Sequence, residues 1–139
     1  MRESILAQYF DGRVPPSTLA DALETVRGTN VLREDSNLFC DLSYDREITL
    51  SDLMKLGQDF IDGLIDASSV EAVCFFLGGT DHFSWDNTSH DGAIVADLIG
   101  DWGSPETAYP ITKKNVKMIV RGLGEGVYDT FQLEANRGK

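Results

Sequence analysis

The sequence predicts an all-α protein, a single bundle-like domain of about six helices spanning residues 1–139, with a short strand or extended segment near the C-terminus. Three observations carry that prediction. Apolar residues recur at helical spacing in most segments that show any period. Thr, Ser and Asp stand where helices should start, and glycines where they should stop. The 139 residues are 42% hydrophobic, enough for one buried core, and no linker, repeat or low-complexity run divides them.

Each element has its own signal. Glu3 to Phe10 reads as a short helix with Ile5, Leu6, Tyr9 and Phe10 on one face, ended by Asp11-Gly12. After Pro15, Pro16 or Ser17 opens a second helix through Arg27, with Leu19, Ala22, Leu23 and Val26 inward and Gly28 as its stop. From Thr29 to Ile48 the pattern is weak and reads mostly as loop. Thr49 then caps the strongest helix, with Asp52 completing a capping box. Leu50, Leu53, Met54, Gly57, Phe60, Ile61, Leu64 and Ile65 form its apolar stripe. Its other face carries Asp52, Lys55, Asp59, Asp62 and Asp66, so residues 50–66 read as one helix with an acidic outer side. Gly57 in its middle costs about 1 kcal/mol relative to Ala, which a close helix crossing would explain.

Ser69 caps a helix from Val70 to Leu77 that is apolar nearly all round, hence expected to be buried. Gly78-Gly79 ends it. A loop from Thr80 to Thr88 carries Phe83 and Trp85. Ser89 or Asp91 opens the next helix, with Ile94, Val95, Leu98 and Ile99 inward, closing near Trp102-Gly103. Thr112 caps the last helix, whose apolar stripe is Val116, Ile119, Val120 and Leu123. Lys113, Lys117 and Arg121 form a basic stripe on it. Gly122, Gly124 and Gly126 follow a helix rather than a strand, so they read as a helix stop and not a phosphate cradle. Val127 to Leu133 alternates with period two, as a strand or an extended tail would.

Charge limits the function more than any motif does. The chain has 12 Lys and Arg against 23 Asp and Glu, a formal net charge of -11. Met1 to Pro105 holds 19 acids and 6 bases, whereas Glu106 to Lys139 holds 4 acids and 6 bases. Such a field repels nucleic acid and anionic membrane and attracts basic partners. No apolar run approaches the roughly 20 residues of a membrane-spanning helix. Met1 to Leu6 lacks a basic segment followed by an apolar run, so no signal peptide is expected and a cytoplasmic location is. Cys40 and Cys74, each in an apolar setting, read as buried free thiols. The alternative is a bridge between them in an oxidising compartment.

One loop could carry chemistry. Asp81, His82, Asp86, His90 and Asp91 bring both histidines of the chain beside three carboxylates, a set able to bind a divalent metal. His90-Asp91 resembles the dyad of the HD metal-dependent phosphohydrolases, but their first histidine lies on a separate helix upstream and has no counterpart here. The loop also misses the EF-hand spacing, since Gly92 falls one place late and no Glu closes it. The simpler reading is a polar loop that caps the next helix.

Size, charge and helical pattern across the chain resemble the small acidic bacterial immunity proteins that neutralise nuclease toxins. That resemblance implies a non-enzymatic module without cofactor or metal, binding a basic protein partner by occlusion. Asp52, Asp59, Asp62 and Asp66 would then mimic phosphates and fill a cationic site, with Trp85 as an aromatic anchor. The competing readings are a metal-dependent hydrolase using Asp81, His82, His90 and Asp91, an acidic secretion chaperone, and a homo-oligomer in which the basic last helix meets a neighbour's acidic body.

Overall fold

The computed structural model describes residues 3–29, 45–80, 82–130 and 133. These form six helices: α1 (Glu3–Phe10), α2 (Pro16–Thr29), α3 (Leu50–Ile61), α4 (Ala67–Gly78), α5 (His90–Gly103) and α6 (Lys113–Leu123). Two short strands, β1 (Arg46–Glu47) and β2 (Phe83–Ser84), pair in parallel with Arg46 opposite Phe83 and Glu47 opposite Ser84. The protein is mainly all-α, as its periodicity predicts. No helix among the described residues is long and apolar enough to cross a membrane.

The caps explain most helix starts. Thr49 accepts the Asp52 amide while Asp52 accepts the Thr49 amide, the reciprocal box the sequence predicts. Ser89 accepts from Gly92 and Thr112 from Asn115 at the starts of α5 and α6. Three boundaries differ from expectation. α2 runs through Gly28, expected as its stop, to Thr29. The helix expected over 50–66 stops at Ile61, because Gly63 turns left-handed at φ 81. Leu64 is left 54% exposed, while Ile65 turns back into the core. Asp66, not Ser69, then caps α4, its Oδ1 accepting the Ser69 amide at 2.8 Å.

Strand placement differs as well. Val127–Thr130 forms no strand, and Tyr128 is packed on the core. The strands lie at 46–47 and 83–84, where the sequence reads as loop. Two residues are too few for alternation to register, and the pairing rests on Arg46 N–H to His82 O and Ile48 N–H to Ser84 O. Residues 30–44, including Cys40, lie outside the described residues.

The core is set where α3, α5 and α6 meet. Trp102 is the largest fully buried side chain. A Cβ on Gly57 would stand 2.9 Å from Val120 Cγ2, 3.2 Å from Trp102 Cη2 and 3.2 Å from Val116 Cγ1. The mid-helix glycine therefore marks the close crossing its position suggests. On α4, Val70, Val73, Cys74 and Leu77 are buried, but Phe75 is 71% exposed, so the expectation of burial all round fails. One face of α4 meets α5, and Phe75 stands at the edge of that contact with its side chain outward.

Two helical glycines should respond oppositely to alanine. Gly57→Ala should lose about 1–2 kcal/mol in urea unfolding, because crowding outweighs the gain in helix propensity. Gly100, where a Cβ meets nothing within 4 Å, should gain up to about 1 kcal/mol as alanine.

Candidate functional site

Part of the acidic side of α3 is engaged within the fold, by Tyr9 of α1 and Arg46 of β1. Tyr9, fully buried on α1, donates from its hydroxyl to Asp59 Oδ2. Lys55 Nζ stands 3.5 Å from the same oxygen and 4.5 Å from the centre of the Tyr9 ring. Asp52 is 7% exposed. Besides its capping role it accepts from Arg46, Nη1 to Oδ2 at 2.9 Å. The same guanidinium reaches Asp11 at 2.8 Å and lies 5.5 Å from the centre of the Phe10 ring. Arg46 thus joins the end of α1, strand β1 and the start of α3.

Of the four carboxylates expected to meet a partner, Asp52 and Asp59 are held inside this seam, and only Asp62 and Asp66 stand exposed. Asp62 accepts from Gln58 Nε2 at 3.0 Å, and Asp66 caps α4. Trp85, expected as an anchor, is half-buried and packed on the core.

The two histidines go separate ways. His82 Nδ1 lies 2.9 Å from Oε1 of Glu3, whose side chain is fully buried. His90 Nε2 lies 2.8 Å from the Gly126 carbonyl and ties the start of α5 to the turn after α6. Asp86 accepts from the Thr88 hydroxyl and amide, which hold its carboxyl below the ordinary range. Asp91 is exposed, and Asp81 lies outside the described residues. No group of three or more His, Cys, Asp or Glu among the described residues is placed to hold a metal. Cys74 is a buried free thiol, its pKa raised by burial.

Among the described residues, the outer side of α4 and α5 is left open. From Leu56 to Thr112 the sequence holds 10 acids and no Lys or Arg. Glu71 and Phe75 lie one turn apart on α4, as do Asp97 and Gly100 on α5. A groove of about 340 Å³ runs between Phe75 and Gly78 on one wall and Gly100 and Gly103 on the other. A separate groove of about 430 Å³ is lined by Ala67, Ser68 and Glu71 of α4 and by Pro105, Glu106, Pro110 and Ile111. Glu71 and Asp97 make no ion pair among the described residues. Lys113, Lys117 and Arg121 are exposed and likewise pair with no described residue, so the basic stripe does not neutralise this side.

Sequence reasoning also missed a chain of donors that fixes the end of α5. Trp102 Nε1–H donates to the Tyr109 hydroxyl at 2.9 Å, Tyr109 pairs with Tyr128 at 2.7 Å, and Tyr128 donates to Asp101. Burial, then the Asp101 carboxylate, pushes the Tyr128 phenol up. Burial pushes Tyr109 up to about 12, and burial with Asp59 raises Tyr9. Aromatic and acidic residues scattered over 28 positions carry no local signature.

These contacts make two predictions. Asp52→Asn should cost about 2 kcal/mol in urea unfolding, because Arg46 loses a shielded charged partner, whereas Asp11→Asn at a 37% exposed side chain should cost under about 1. Neutral phenols are favoured by the fold, since their folded pKa values lie above the unfolded value of 10.0. Their contribution is therefore complete below pH 10.0 and lost as pH rises toward 12. Phenolate absorbance of Tyr9, Tyr109 and Tyr128 should accordingly appear only together with loss of helical circular dichroism. No protein-family model matches this chain, and no curated protein or solved structure matches it either.

Proposed function

We propose that this protein is a non-enzymatic binding module that docks a basic protein partner, in the manner of the immunity proteins it resembles, and acts by occluding the partner's cationic site. The observation that carries this reading is the stretch from Leu56 to Thr112, with 10 acids and no base. Within it Asp62, Asp66, Asp91, Asp97 and Glu106 are exposed. A uniform field of this sign speeds encounter with a cationic surface and disfavours acidic competitors. The net charge of -11 exceeds the magnitude of about 2–8 that keeps a small domain soluble. The same field argues against nucleic acid as a ligand.

The acids that meet the partner are those of the α4–α5 side and the α3–α4 turn. Asp52 and Asp59 serve instead to hold α1 on α3. Each histidine of the loop from His82 to His90 is bound to its own structural partner, which favours a docking role over hydrolysis at that loop.

The test is affinity capture from native lysate at low and at high salt, with proteins identified by mass spectrometry. A stoichiometric basic protein should be retained at low salt and released as salt rises. Replacing Glu71, Asp97 and Glu106 by their amides should weaken its retention several-fold with the fold intact. Capture indifferent to both salt and these substitutions would defeat the reading.

A further inference from the structure

We propose that the groove between α4 and the end of α5 is the seat of a short segment of the partner in which apolar residues alternate with Lys or Arg, Phe75 being its aromatic contact. The inference rests on the docking reading above and assigns it a place. Phe75 is the most exposed large apolar side chain among the described residues, at 71%. It stands beside a groove whose facing wall is Ile99, Gly100, Gly103 and Ser104, where the two glycines leave room for an incoming side chain. Gly103 approaches the α4 backbone closely, a Cβ there falling 3.2 Å from the Phe75 amide nitrogen. The Phe75 ring therefore stands outside the close helix contact at Gly103.

Charge selects the occupant. Neither α4 nor α5 contains a Lys or Arg. Glu71 lies one turn before Phe75 and Asp97 one turn before Gly100, while Glu71 and Glu106 line the neighbouring groove. An apolar groove with carboxylates one helical turn along each wall fits a segment whose own apolar groups are flanked by cations. The 12 residues of α4 span about 18 Å, the length of roughly five or six residues of extended chain.

The probe is a hexapeptide alternating lysine and leucine, titrated at low ionic strength against the full chain and followed by backbone amide shifts. Hexalysine and an alternating glutamate–leucine peptide serve as comparisons. Shifts should centre on Phe75, Gly78, Gly100 and Gly103. Phe75→Ser and Gly100→Gln attack opposite walls at open positions, and each should weaken the lysine–leucine peptide about tenfold while leaving hexalysine unchanged. If both lysine peptides bind and neither substitution matters, the groove assignment falls and the acidic docking reading stands. If neither lysine peptide binds, both fall. Equal binding of the glutamate–leucine peptide overturns the charge argument. A dimer seen by light scattering and lost in Phe75→Ser means that a second copy occupies the groove, which also overturns the proposal.

Discussion

The meeting of α3, α5 and α6 at Gly57 is the constraint around which the rest of the bundle is arranged. Val116 and Val120 of α6 and the Trp102 ring of α5 all come within 3.2 Å of where a Cβ on Gly57 would be. Any side chain there would push one helix away and open the space around Trp102. The indole is fixed at its other end by donating to Tyr109, itself held by Tyr128 and Asp101. α5 therefore has one rotational setting, with Trp102 inward and Gly100 outward. The wall of the outer groove follows from the packing of the inner core.

The acids do two different jobs, and position decides which. Asp52 and Asp59 are shielded and engaged by Arg46, Lys55 and Tyr9, so their charge is compensated within the fold. Those between α4 and α6 have no Lys or Arg in sequence beside them, and several stand exposed. The two cationic contacts of the seam involve aromatic rings of α1 as well, which ties the first helix to the bundle by packing and charge together.

Much of the fold was legible in the chain. α1 lies where its period predicts, the Thr49–Asp52 capping box is present, and the glycines after α6 end it, with Gly126 at φ 77. The site was less legible because period reports which face of a helix is apolar, not what covers its polar face. Lys55, Asp59 and Asp52 read as a solvated side until Tyr9 of α1 and Arg46 of β1 are placed against them. Phe75 shows the reverse failure: an almost wholly apolar helix hides which residue is turned outward. The apolar stripe that seemed to run on through Leu64 and Ile65 crosses a turn, and only the left-handed backbone of Gly63 reveals it.

The most direct test of this division is carboxyl footprinting of the native protein, with carbodiimide and a neutral amine, read residue by residue by mass spectrometry. Asp97 and Glu106 should label quickly, and Asp52 and Asp59 should stay protected until the protein unfolds. Labelling of Asp52 and Asp59 as fast as Asp97 would mean that Tyr9 and Arg46 do not engage them, and that the acids assigned to the fold belong to the open surface instead.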